Sequence, residues 1–393
     1  MAPYADFFYF GILLLAVVAP TVVLGLLGRK MKAWIVLATA LMLAVQYAWP
    51  VNGRAASDPF WQELCTLLGF AVIQFLLARG YLAMRQRNAS KKWITPAILL
   101  SLAPLALAKL LPAHGGGNLV GFVGISYLSF RAIDVLMCIH EGTVQELRTA
   151  DFLVFILFFP TISSGPIDRF RRFKLDWDAP RPRAEFLRDL DHAAASFFTG
   201  LLYKFVLATV IYDQWLTPAG DAHGFWPMVS YAYAYSFYLF FDFAGYSAFA
   251  IAFSYLLGIR TPANFAMPFL APDIQAFWSR WHITLSHWLR DFVFMRFYLW
   301  ITKRGWIRNP VHASHAGLLV TFFSMGVWHG LERHYLIYGL YHGGLQVVHD
   351  RFKRWNKASR RVADTHLTRA FGTALTFNCV CFGFLIFSGH WFK

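Results

Sequence analysis

Apolar runs of about 20 residues recur along the whole chain, and each is long enough to cross a bilayer as a helix. A backbone inside hydrocarbon must satisfy its own N–H and C=O groups, so such runs leave little choice of structure. Composition agrees: 58% of the 393 residues are hydrophobic, 18% aromatic and only 15% charged. Soluble domains carry roughly 25% charged residues. The expectation is an all-α polytopic membrane protein, one membrane domain over residues 1–393.

The first run, Ala5 to Leu27, has no basic residue before it and is too long for the apolar part of a cleavable signal. Arg29, Lys30 and Lys32 follow it and place the first loop in the cytoplasm, with the N-terminus outside. Runs at about Ala33–Pro50 and Phe60–Met84 return the chain to Arg85, Arg87, Lys91 and Lys92. The fourth, Trp93–Leu111, ends at a flexible turn, Gly115-Gly116-Gly117, and Asn118–His140 leads back inward.

The next run, Asp151–Phe159, is followed by Arg169, Arg171, Arg172 and Lys174, so two successive cytoplasmic loops flank one apolar run. Pro160 and Ser163-Ser164-Gly165-Pro166 also interrupt it. A re-entrant half-helix resolves both facts, with a violation of the charge rule as the alternative. Further runs lie at Ala193–Trp215, Phe225–Leu257 (long enough for Gly245 to mark a break), Val311–Gly330, Tyr335–Val348 and Thr368–Phe392. About 10–11 transmembrane helices result, with re-entrant and interfacial helices besides.

The net charge of +15 sits mostly in the inner loops. Anchoring to anionic lipid accounts for most of it, and a share could recruit an acidic cytoplasmic partner. Nucleic-acid binding is not expected, because these charges flank membrane spans. Cys65, Cys138, Cys379 and Cys381 lie in apolar runs without metal-ligand spacing, so no metal site is expected.

Charges inside apolar runs need partners. Arg131 and Asp134 stand three apart on one helix and can neutralise each other. Lys204 could snorkel to the interface. Asp242, short and set among Phe240, Phe241 and Phe243, needs a partner or a proton. Tyr231, Tyr233, Tyr235, Tyr238 and Tyr246 around it could line a polar path or join helices.

His329, in Ser324-Met325-Gly326-Val327-Trp328-His329-Gly330, is the most informative of these residues. With a pKa near neutrality, an imidazole can take a proton from a nucleophile and return it. A buried histidine bonded to a neighbouring helix is the competing account. Residues 273–296 read at about 100° per residue as one amphipathic interfacial helix. Ile274, Phe277, Trp278, Trp281, Leu285, Trp288, Leu289, Phe292 and Met295 share its apolar face, opposite Asp273, Arg280, Thr284, His287 and Asp291. His282 turns toward the protein body and His287 toward water, so His282 is the better candidate for chemistry. Serine-hydrolase elbows, phosphate-binding loops and His-Glu-x-x-His are missing.

Three blocks together resemble the membrane-bound O-acyltransferase family. They are Phe159-Pro160-Thr161-Ile162-Ser163-Ser164-Gly165-Pro166-Ile167-Asp168-Arg169-Phe170; Phe241-Asp242-Phe243-Ala244-Gly245-Tyr246-Ser247 continuing through Thr261-Pro262-Ala263-Asn264-Phe265 to Phe277-Trp278-Ser279-Arg280-Trp281-His282-Ile283-Thr284-Leu285-Ser286; and Gly326-Val327-Trp328-His329-Gly330 with Tyr338-Gly339-Leu340-Tyr341-His342-Gly343. Residues 290–297, Arg290-Asp291-Phe292-Val293-Phe294-Met295-Arg296-Phe297, look like the D-alanyl transfer branch of that family.

The resemblance implies a ring of membrane helices around a thin centre, where an inner tunnel meets an outer funnel. It makes His329 the active-site histidine and His282 the second family histidine, with Asp242, Tyr246, Trp281 and Trp328 as candidates for lining the substrate path. It implies transfer of a D-alanyl group from the phosphopantetheine thioester of an acidic carrier protein toward a hydroxyl of a cell-envelope polymer, in the bacterial cytoplasmic membrane. The phosphopantetheine belongs to the carrier, and no cofactor is expected to be held permanently. Lys303, Arg304 and Arg308 are candidates for docking the carrier, and a small membrane partner fits the same scheme. Two alternatives stand beside this reading: a polysaccharide O-acetyltransferase of the same family, and a proton-coupled transporter of envelope precursors.

Overall fold

The computed structural model describes residue 4 and residues 7–48, 62–87, 91–113, 115 and 120–392. The turn expected at Gly115-Gly116-Gly117 falls, at Gly116 and Gly117, outside the described residues, as do Asn118, Pro50 and Phe60. Helices run in the order α1 (Phe8–Leu26), α2 (Lys32–Ala48), α3 (Gln62–Arg87), α4 (Ile94–Ala113), α5 (Ile125–Glu141), α6 (Thr149–Leu157) and α7 (Phe170–Asp178). After these come α8 (Arg183–Asp221), α9 (Phe225–Leu256) and the short α10 (Ile274–Trp278). α11 covers residues 283–303 and contains a π-helical turn at Arg290–Phe294. α12 (Pro310–His329), α13 (Arg333–Ser359) and α14 (His366–Phe387) complete the order.

Among the described residues, six helices are long and apolar enough to cross a membrane: α1, α3, α4, α8, α9 and α14. The other apolar runs form helices that are shorter, such as α2, or that carry buried polar groups, such as Arg131 in α5 and His315 and His342 in α12 and α13. The chain is a multi-pass helical membrane protein. Its internal contacts divide it into two compact units, Met1–Gly200 with Tyr246–Pro262, and Leu201–Gly245 with Ala263–Lys393.

In the first unit α5 is the central element: every residue from Tyr127 to Ile139 is buried. Arg131 and Asp134 do not neutralise each other, because the helix ends around them make stronger claims. Arg131 donates from Nη1 to the carbonyls of Phe155 (2.9 Å) and Ile156 (3.0 Å), and from Nη2 to that of Thr161 (2.7 Å). It thereby satisfies carbonyls at the end of α6, which have no partner within the helix. Asp134 instead accepts from Arg169 Nη1 (2.9 Å) and from the backbone N–H of Phe170 (2.7 Å), where α7 begins.

The geometry of this region agrees with the re-entrant reading. α6 has 9 residues, about 13.5 Å at the helical rise, less than half of the roughly 30 Å hydrocarbon core. Asp151 near its start pairs with Lys174 beyond the Pro160–Pro166 turn, N···O 2.8 Å. The two ends of the segment therefore lie side by side. Tyr246 is buried in this unit, its hydroxyl bonded to Ser163 Oγ and its ring 5.1 Å from that of Tyr4.

Two further expectations are corrected. α9 runs unbroken for 32 residues, so Gly245 marks no break. Gly245 is instead a point of close approach, since a Cβ there would stand 2.8 Å from Lys204 N. Lys204 does not snorkel: its ammonium pairs with Asp242, which supplies the partner that the carboxylate required.

Candidate active site

Residues 273–296 do not form one helix. α10 stops at Trp278, and the chain turns through His282, whose φ of 43° lies in the left-handed region. A histidine adopts that conformation at a cost and keeps it only where its surroundings fix it. Here Asn264 does so. Its carbonyl accepts from Ile283 N (2.9 Å), and its Oδ1 accepts from Thr284 Oγ1 (2.8 Å) and Thr284 N (3.3 Å). Thr284 is consequently buried rather than on a polar face. The expected burial of Trp278, Trp281, Leu285 and Trp288 is observed, as is the exposure of His287.

His282 is 4% exposed, and its ring meets Phe243 edge-on at 4.8 Å between centroids. Trp328 lies 6.3 Å from it. The same indole is 4.5 Å from the ring of His329, so Trp328 stands against both histidines. His329 is the last residue of α12 and only half-buried, with Phe387 edge-on at 4.8 Å and Tyr335 stacked at 6.0 Å. Small residues bring its helix close to α13: a Cβ at Gly326 would lie 2.5 Å from Tyr335 O, and one at Gly339 would meet Phe322 O.

Trp281 is packed within an aromatic cluster, 4.8 Å from Phe384 and 5.1 Å from Phe265. Asp242 is held by Lys204, and Tyr246 belongs to the other unit. Lys303, Arg304 and Arg308 are exposed at the end of α11, where Arg304 stacks on Trp300 at 5.0 Å.

A cavity of about 390 Å³ opens between α10, α11, α12 and α13. Trp278, Leu285, Leu289, Phe322 and Met325 give it apolar walls, and Ser279, Ser286, Arg290 and Gln346 add polar groups. It contains neither histidine, but Met325 on its wall precedes His329 by one helical turn and Trp278 precedes His282 by four residues. Asp350, also on its wall, is bonded to His315 (2.8 Å) and Arg354 (2.7 Å). Burial pushes its carboxyl up, but Arg354 and His315 outweigh that and hold it below the usual range. Neither a site role for Asn264 and Trp278, both named from the sequence, nor this cavity was legible there. Both depend on the break at His282, which periodicity cannot register.

The sequence profile of the membrane-bound O-acyltransferase family matches residues 121–388. The chain belongs to that family. It is 41% identical over 399 residues to the teichoic acid D-alanyltransferase of Bacillus subtilis (strain 168), covering 99% of this chain and 98% of that protein. It is 40% identical over 347 residues to the protein of the same name from Lacticaseibacillus rhamnosus, covering 84% and 85%. A probable alginate O-acetylase of Pseudomonas syringae pv. tomato is 32% identical over 276 residues, with 67% of this chain and 48% of that protein aligned. The acyltransferase expectation and the polytopic helical architecture are thus both met, and the transporter alternative falls away.

Proposed function

We propose that this acyltransferase moves a D-alanyl group from the phosphopantetheine thioester of a small acidic carrier protein to a hydroxyl acceptor, for modification of a cell-envelope polymer at the bacterial cytoplasmic membrane. The observation that carries the reading is the meeting of His282 and His329 on one indole, Trp328, with a cavity wall one helical turn away. Near full-length similarity to two teichoic acid D-alanyltransferases supports D-alanyl over acetyl as the group transferred.

In the step proposed, the acceptor oxygen attacks the thioester carbonyl carbon while its proton passes to His329. The C–S bond then breaks, and the thiolate takes that proton from the imidazolium. General acid–base help of this kind contributes about 10²–10⁴-fold, and holding the two reactants together adds to it. The half-buried position of His329 suits a group that must meet an acceptor, whereas enclosed His282, fixed by the Asn264 contacts, suits orientation of the thioester. The cavity matches a pantetheine arm in character: apolar walls for its length, serines and Gln346 for its amides, and Arg290 for its phosphate. The exposed Lys303, Arg304 and Arg308 suit capture of an acidic carrier.

The test supplies purified protein with D-alanyl- and acetyl-loaded carrier and follows each thioester by intact mass. Wild type should consume the D-alanyl thioester in preference, and His329→Ala, eluting as wild type does from a sizing column, should consume neither. An active His329→Ala protein removes the basis of the reading.

A further inference from the structure

Beyond His329 the chain leaves α12 through Gly330 and re-enters a helix at Glu332, the N-cap position of α13. Glu332 is exposed, and among the described residues its carboxylate makes no ion pair, although Arg333 follows it. Nor does the side chain cap the helix, since it accepts no bond from the first turn. It is folded back instead. A side chain at position 330 would run into Glu332 Oε2 and the ring of Tyr335, so glycine alone lets both groups lie against the backbone next to His329.

The ring of Tyr335 lies beside this carboxylate, both being met by a side chain at position 330. Tyr335 stacks on the His329 ring at 6.0 Å, Phe387 meets it edge-on at 4.8 Å, and Tyr335 and Phe387 lie 5.1 Å apart. An unpaired carboxylate beside one aromatic ring suits a small organic cation, through charge-assisted hydrogen bonds and cation–π attraction. Resting on the reading above, one such cation comes within reach of His329: the α-ammonium of an aminoacyl group. An acetyl group has none.

We propose that Glu332 and the ring of Tyr335 form the subsite for the α-ammonium of the transferred aminoacyl group and so select it over uncharged acyl groups. His329 handles the hydroxyl proton while the carboxylate three residues later holds the acyl group by its charge. Gly330 is the spacer that allows both.

The experiment uses the full chain in phospholipid nanodiscs, with glycerol phosphate as hydroxyl acceptor. The donors are the pantetheine thioesters of D-alanine, D-lactate and acetate, the lactyl group replacing the ammonium by a hydroxyl of similar size. Ester formation is followed by mass spectrometry. Wild type should favour D-alanyl over D-lactyl by about tenfold in kcat/KM, the scale of one partly exposed charge-assisted contact. Glu332→Gln should bring that ratio near one by slowing D-alanyl transfer alone, and Glu332→Asp should restore part of it. Equal losses with all three donors, or a preference untouched by Glu332→Gln, would overturn the subsite while leaving D-alanyl transfer intact. Wild type that makes no D-alanyl ester would overturn the underlying reading and the subsite with it.

Discussion

The Lys204–Asp242 pair offers a test in which physics fixes both sign and pattern. The two side chains are 13% and 37% exposed and sit on α8 and α9, among Phe240, Phe241 and Phe243. Removing one member of a buried pair costs about 3–5 kcal/mol, because the other charge is left uncompensated; exposed pairs are worth about 0–1 kcal/mol. Asp242→Asn strands the more enclosed lysine and should cost about 3 kcal/mol. Lys204→Met strands the more open carboxylate and should cost about 2 kcal/mol. The double variant strands nothing, so it should recover most of the loss, a favourable coupling of about 2 kcal/mol or more. Unfolding titrated with denaturing detergent, followed by tryptophan fluorescence, measures all four corners of the cycle. Losses that simply add would refute the structural pair. A double variant that regains stability but makes no ester would instead return Asp242 or Lys204 to the substrate path.

Three further outcomes are expected. Asn264→Ala removes the Oδ1 acceptor of the Thr284 N–H and hydroxyl, which should cost about 2 kcal/mol and lower kcat more than it raises KM, because the turn at His282 then keeps only the backbone bond from Ile283 to residue 264; wild-type kinetics in this variant would contradict that. Arg131→Met uncovers the carbonyls of Phe155, Ile156 and Thr161 and should destabilise the first unit by about 3 kcal/mol or more, with faster hydrogen exchange in residues 151–166 as the readout. Reversing Lys303, Arg304 and Arg308 to Glu should weaken carrier capture without changing the rate at saturating carrier; raised salt should mimic it in wild type, exposed charges being screened over about 8 Å at physiological ionic strength, and unchanged affinity would remove the docking role.

Element existence was legible because it rests on the solvent. Runs of apolar residues reported the helices, and the basic segment 169–174 with Pro160 pointed to a short α6 from which the chain turns back, with which the Asp151–Lys174 pair agrees. Partner choice was less legible. Spacing on one helix suggested an Arg131–Asp134 pair, but spacing cannot weigh a neighbour against the carbonyls at the end of α6 or the N–H at the start of α7. Periodicity erred in the same way over residues 273–296. It counts side chains and is blind to backbone, so a left-handed residue supported from Asn264 reads as uninterrupted helix. Gly245 failed for a related reason: a missing side chain signals a break or a close approach alike, and only the position of Lys204 decides.

The two histidines are held by different means, and the difference bears on their division of labour. His282 is set by backbone: its neighbours Ile283 and Thr284 hang from Asn264, its conformation is one that few residues adopt, and its ring is enclosed. Such a group has a fixed direction and little contact with solvent, which suits orientation of a substrate atom better than repeated exchange of protons. His329 ends a helix whose register is locked by the Gly326 and Gly339 contacts, but beyond it Gly330 releases the chain, and its ring stays half-open. A proton carrier needs that combination of a fixed origin and an accessible face. In the proposed scheme Trp328, against both rings, would keep the spacing between orienter and base constant. Substituting it with Leu should therefore impair transfer even with both histidines intact, and Trp328→Phe, which retains a flat ring, should restore most of the loss.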